Sequence, residues 1–204
     1  MFTHSPLPIT HYLNRRKVMN LAPHKYRVNL SEWHKMGQHN IFPPQARVEL
    51  IEGEIIEMPP IGPTHAGCVF NLIELLASQK GKMAALNVQN PIQLSDFSEP
   101  EPDVVLLRPS PQLYKVGHPT AADILLLIEV SDTSVNYDRD TKIPLYARDG
   151  IIECWLVDVG ARTVEVYLNP TQHGYTEKRL FQLKQTLIPT QLPHIKIPVS
   201  DICV

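Results

Sequence analysis

Asp123-Ile124-Leu125-Leu126-Leu127-Ile128-Glu129-Val130 is the stretch on which the fold turns. Its apolar run is too short to cross a bilayer, and it lacks the alternation of a strand with one wet face. Such a run is expected of a strand covered on both faces. Asp103-Val104-Val105-Leu106-Leu107 has the same character, and residues 86–94 supply another strand candidate. Upstream, residues 65–79 predict a helix. Val69, Leu72, Ile73, Leu76 and Ala77 recur at helical spacing, Thr64 is placed to cap the start, and Gly81 lies just past the end. Downstream, residues 136–148 predict a helix ending at Gly150, which Pro144 should kink or shorten. Residues 153–158 and 163–168 predict a hairpin across Gly160, and residues 175–183 a further strand. Helix, three strands, helix, strand is the order of an α/β domain with a mixed sheet.

The flanks are less regular. Residues 1–28 show no periodicity and are expected to form a flexible basic arm, leaving residues 29–204 as a single domain. Met19 is a candidate alternative start, since the readable fold begins after it. Ser31 is placed to cap a short helix over residues 31–36, and residues 48–58 predict two short strands turning near Gly53. Nineteen prolines against nine glycines point to stiff connections. No membrane span or signal peptide is recognisable, and the three cysteines (Cys68, Cys154, Cys203) form no C-x-x-C pair. A cytoplasmic protein with reduced thiols and no structural zinc is therefore expected. Charge is unevenly spread: residues 1–48 hold seven Lys/Arg against Glu32 alone, whereas residues 49–103 hold two against nine acids. That pattern suits a phosphate-contacting segment beside a cation site, or simply a solvated basic tail.

Asp103 opens one buried strand and Glu129 closes the next. If the two strands are antiparallel neighbours, the start of one lies beside the end of the other, about 4.8 Å away. Two carboxylates so placed can share a cation, and their hard oxygens favour Mg²⁺ or Mn²⁺ over zinc. A bound metal would also explain a charged group at the end of so apolar a run. Ordinary exposed strand ends are the bland alternative. Beyond Glu129 the chain turns through Ser131-Asp132-Thr133-Ser134 into the predicted helix, whose Lys142 is long enough to return its ammonium to the carboxylate pair. Phosphodiester hydrolysis needs a cation to polarise phosphate and activate water, plus a second positive group beside the nucleophile.

At these residues the chain resembles a known group. The carriers are Ser98-Glu99-Pro100-Glu101-Pro102-Asp103, Ile128-Glu129-Val130-Ser131, Tyr137-Asp138-Arg139-Asp140-Thr141-Lys142, Leu145-Tyr146-Ala147 and Gly150-Ile151-Ile152-Glu153-Cys154-Trp155-Leu156-Val157-Asp158. With Glu49-Leu50-Ile51-Glu52-Gly53-Glu54 and His65, they resemble the Uma-type restriction endonucleases of the PD-(D/E)XK nuclease superfamily. The resemblance runs from about Ser31 onward. It implies a restriction-endonuclease-like αβββαβ core with added N-terminal elements and C-terminal hairpin strands. It also implies that Asp103, Glu129 and the Val130 carbonyl hold the metal. The superfamily's usual lysine position, two residues after the second acid, is Ser131 here, so Lys142 would be a migrated lysine arriving from the following helix. His65 and Glu49 match recurring positions. His65 is either a site residue touching phosphate, water or a carboxylate, or a plain helix-start histidine. Glu49 is either a third metal ligand or a partner of a basic neighbour. Trp33, Trp155 and Tyr146 are expected to pack.

No G-x-S-x-G, P-loop, dinucleotide fingerprint or H-E-x-x-H occurs. The leading expectation is thus a Mg²⁺- or Mn²⁺-dependent endonuclease acting on DNA, plausibly as a homodimer and away from membranes. Asp103 and Glu129 would hold the metal, Lys142 would assist the attacking water, and His65 would tune the site. The rival is a catalytically silent nuclease fold serving as a binding or regulatory module. A hydrolase of other phosphorylated substrates is a third reading.

Overall fold

The computed structural model describes residues 23–202. Its elements are α1 (Leu30–Gln38), β1 (Val48–Ile51), β2 (Glu54–Glu57), α2 (Pro63–Lys80), β3 (Ala85–Val88), β4 (Val104–Leu107) and β5 (Ile124–Ser131). They continue with α3 (Val135–Tyr137), a π-turn (Asp138–Lys142), α4 (Ile143–Arg148), β6 (Glu153–Asp158), β7 (Thr163–Thr171), β8 (Gly174–Phe181), β9 (Thr186–Leu187) and β10 (Ile197–Pro198). Six strands form one mixed sheet in the order β3-β4-β5-β6-β7-β8; β1-β2 and β9-β10 form separate pairs. Only β5 and β6 run parallel within the six-stranded sheet. The chain between them makes the required crossover, and α3, the π-turn and α4 occupy it.

All eight residues of β5 are buried, as the uninterrupted apolar run requires of a strand with both faces covered. On one face Ile128 and Val130 join Val104, Leu106 and the inner residues of α2 (Cys68, Val69, Leu72, Leu76). On the other, Leu127 packs with Val105, Leu107, Ile143, Tyr146 and Leu156. The C-terminal segment closes over the first face and is fastened by a buried acid. Glu153 accepts bonds from Trp155 Nε1 at 2.7 Å and from the Thr190 N–H and hydroxyl at 2.7 and 2.6 Å.

Several predicted boundaries move, each for a local reason. The strand expected over residues 86–94 ends at Val88, because Gln89 takes a positive φ of 47° and bends the chain away. α2 starts at Pro63 with Gly62 as N-cap, so Thr64 caps nothing; proline at N1 uses its missing N–H where no partner exists. α1 is capped by Asn29 rather than Ser31, with Glu32 completing a capping box. The helix expected over residues 136–148 is interrupted by the π-turn, after which Pro144 sits harmlessly in the first turn of α4. The further strand expected over residues 175–183 is β8, Gly174–Phe181.

Most of the expected basic arm lies outside the described residues, as does Met19. Its final part is fastened to the β1-β2 turn: the Val28 N–H donates to the Gly53 carbonyl at 3.0 Å and Arg27 Nε to the Glu52 carbonyl at 2.8 Å. Gly53 has φ of 82°, and a Cβ there would fall 2.7 Å from Arg27 Cβ, so only glycine allows this docking.

Leu126 is fully buried in the central strand. Leu126→Ala should lower unfolding free energy by about 3 kcal/mol, read as a reduced urea midpoint with unchanged slope.

Candidate active site

Antiparallel pairing of β4 with β5 sets Val104 opposite Ile128, and one further step sets Asp103 opposite Glu129. The conditional register read from the sequence is therefore the register of the fold. Along β5, side chains alternate between faces, so Glu129 and Ser131 share the face of Leu127, which the π-turn and α4 cover. Val130 faces α2. Its N–H donates to Asp103 Oδ2 at 2.9 Å.

Asp103 is held on both oxygens. Oδ2 also meets His65 Nε2 at 3.1 Å, and Oδ1 accepts from Gln89 Nε2 at 3.2 Å. Burial opposes its charge, but His65, the Val130 N–H and Gln89 outweigh that and hold Asp103 below its usual range. His65, in the first turn of α2, is raised by its bond to Asp103 against the effect of burial, with the Val130 carbonyl adding to the rise. This imidazole–carboxylate pair closes one side of the pocket.

Glu129 and Lys142 close the other. Lys142 Nζ lies 3.2 Å from Glu129 Oε1 and 3.0 Å from Glu49 Oε2, with all three side chains buried. Tyr146 donates its hydroxyl to the same Glu129 oxygen at 2.5 Å. Burial alone would depress the Lys142 pKa, yet Glu129, Glu49 and Asp138 drive it above its ordinary value, so the ammonium stays charged. Glu129 is pushed up to about 8, first by burial and then by the carboxylates of Asp138, Asp103 and Glu49, with Lys142 opposing. The cluster thus carries more carboxylates than its cations can neutralise at neutral pH.

The π-turn decides where Lys142 points. Asp138, its first residue, accepts bonds from the hydroxyls of Ser131 and of Ser134, the latter at 2.7 Å. Ser131 therefore ties the turn to the end of β5 instead of entering the pocket.

Asp103, Glu129, Val130, Lys142, His65 and Glu49 all line one cavity of about 150 Å³, together with Arg47, Glu101 and Asp138. Every site residue proposed from the sequence is thus brought together. Three contributors were missed: Gln89, Asp138, and Tyr146 as a partner of Glu129 rather than packing alone. The spacing of Lys142 and Tyr146, four residues apart, carried a signal for the last, since such residues share a helix face. Nothing in the sequence marked Gln89.

Among the described residues no three His, Cys, Asp or Glu side chains form a ready-made metal cage. The donor chemistry nevertheless fits a hard cation that keeps much of its water. Mg²⁺ commonly takes one or two carboxylates and fills its remaining positions with solvent and substrate oxygens. Asp103 and Glu129 at one register step, beside the Val130 carbonyl, offer that set, and the surplus negative charge favours it.

Comparison with known proteins agrees with this fold. The crystal structure of a protein from Anabaena variabilis, described as a putative nuclease belonging to DUF820, superposes with a TM-score of 0.65 at 19% identity. The match covers 86% of the present chain and 97% of that one, and it establishes a shared fold. No match was found among curated proteins. Residues 30–200 match the family model Uma2, described as "putative restriction endonuclease", and the chain belongs to that family.

Proposed function

We propose that the protein is a Mg²⁺- or Mn²⁺-dependent endonuclease that hydrolyses DNA phosphodiester bonds at the Asp103–Glu129 pocket. The observation that carries this reading is the register that sets those two carboxylates side by side with a buried, charged Lys142 against one of them. Asp103, Glu129 and the Val130 carbonyl would hold the metal. When bound, such a cation polarises the phosphate and lowers the pKa of water.

The remaining work falls to the chain's own groups. Among the described residues, Lys142 is the cation paired with Glu129. It would orient the attacking water through its N–H bonds and offset the negative charge that grows on the phosphate. Gln89, His65 and the Val130 N–H fix both oxygens of Asp103, so little reorganisation is needed on substrate arrival. Tyr146 keeps Glu129 oriented from the buried side. Arg47 and His65 bring positive charge to the pocket and would face the phosphate strand. Each pocket acts on one strand at a time, so double-strand cleavage would engage two copies. Cys68 and Cys154 are free and buried, which suits a reducing compartment such as the cytoplasm. No described helix is long and apolar enough to cross a membrane.

Asp103→Ala should reduce cleavage of supercoiled plasmid and of single-stranded circular DNA in Mn²⁺ at least 100-fold while leaving the thermal midpoint within a few degrees. Glu129→Gln should do the same. Wild-type activity in either variant would remove the assignment. A wild-type protein that binds DNA and Mn²⁺ but cleaves neither substrate would instead be a silent module on a nuclease fold.

Metal binding should also release protons. Burial and the surrounding carboxylates raise the Glu129 pKa to about 8 against the pull of Lys142, so the free site shares a proton near neutrality that a bound cation would displace. Apparent Mn²⁺ affinity should therefore rise with pH up to about 8 and level off above it. Calorimetry in buffers of different ionisation enthalpy should show net proton release on binding that is larger at pH 7 than at pH 9, and the release should vanish in Glu129→Gln.

A further inference from the structure

The catalytic cavity, at about 150 Å³, holds a phosphate group but not a whole nucleotide, since pockets for such ligands run to roughly 300–1,000 Å³. A larger cleft of about 640 Å³ adjoins it, and Arg47 and Glu101 line both. Trp33 and Phe42 form its aromatic wall, with ring centroids 5.3 Å apart and planes tilted by 47°. Pro91 adds a further apolar surface, and His34 and His118 stand at the exposed rim.

This wall is fixed before any ligand arrives. Glu99, 4% exposed, accepts the Trp33 indole N–H at 3.0 Å and contacts His34 Nε2 at 2.9 Å. Its backbone N–H donates in turn to the Leu50 carbonyl in β1 at 2.8 Å. The buried carboxylate thus anchors α1, which buries no residue of its own, to the strand that carries Glu49. Two half-buried rings, with the Arg47 guanidinium shared with the phosphate pocket and Glu101 and two histidines at the margin, make a surface with an apolar face and a polar edge. A nucleobase on its sugar-phosphate strand has the complementary character.

Resting on the proposed nuclease reading, we infer that the Trp33–Phe42 cleft is a nucleobase subsite that receives an unstacked base of the strand whose phosphate enters the Asp103–Glu129 pocket. A base within a duplex is stacked on both faces and cannot enter such a cleft without leaving the helix. The preferred substrate is therefore single-stranded or locally unpaired nucleic acid rather than intact duplex.

Trp33 also supplies the assay, because Trp155 is 1% exposed and Trp33 is the tryptophan that lines the cleft. The full-length protein is titrated in EDTA with a 12-nucleotide single strand, the matching duplex, and a single strand of equal phosphate count whose central residues are abasic. The single strand should quench tryptophan emission and bind at least tenfold more tightly than the duplex or the abasic strand. Phe42→Leu keeps apolar bulk without a π-face. It should weaken binding of the base-bearing strand about tenfold, as loss of one base–aromatic contact implies, and leave the abasic strand unaffected. Phe42→Tyr should bind as wild type does. Equal affinity for duplex and single strand, or an equal loss on both strands in Phe42→Leu, would overturn the subsite. Since no cleavage is measured, a chain that binds as described but cannot hydrolyse DNA would refute the nuclease reading and leave the subsite standing.

Discussion

Lys142 sits 2% exposed with a carboxylate on either side, and the rest of the site depends on that burial. Removing an ammonium from water costs several kcal/mol, which only close, well-oriented opposite charges can offset. Those charges come from separate parts of the chain: Glu49 from the β1-β2 hairpin and Glu129 from the central sheet. The lysine is itself the last residue of the π-turn. Hairpin, sheet and crossover helix are consequently locked together by one charge. Displacing any of them leaves a buried ion without its partner.

Around this centre the polar groups form layers that each solve a burial problem. Glu129, crowded by burial and by other carboxylates, is steadied by the Tyr146 hydroxyl. Asp138, needed to start the π-turn, is satisfied by Ser131 and Ser134. Glu99, beneath the aromatic cleft, is satisfied by Trp33 and His34. The acidic block that stands out in residues 49–103 is therefore divided: Glu52, Glu54, Glu57, Glu74 and Asp96 face solvent, whereas three other carboxylates turn inward. Glu49, Glu99 and Asp103 are all buried, and each meets a specific donor.

The central strands could be read from the sequence because a short apolar run without alternation admits few other structures, and two of them ending in acids made the register a concrete question. Asp103, Glu129 and Lys142 were found because one sheet edge and one helix start bring them near each other within about forty residues. Contacts spanning longer separations left little trace. Lys142 and Glu49 lie 93 residues apart, and the sequence left Glu49 open between ligand and ion-pair partner. Gln89 reaches Asp103 only because of a positive φ that no glycine or asparagine announces. The π-turn was hidden for another reason: its residues suit an ordinary helix, and the wider winding follows from anchors at Ser131 and Glu49 rather than from local preference.

That winding makes the segment tolerant of one particular change in chain length. A π-turn accommodates one more residue than an α-helical path between the same anchors. Losing a single residue between Asp138 and Lys142 would let the segment relax to α-helix with its two ends close to their present places. Losing a residue between Lys142 and Tyr146 would instead turn the rest of α4 by about 100° and carry the tyrosine away from Glu129. A related sequence one residue shorter in the π-turn would still carry its lysine in phase with the core residues that follow it.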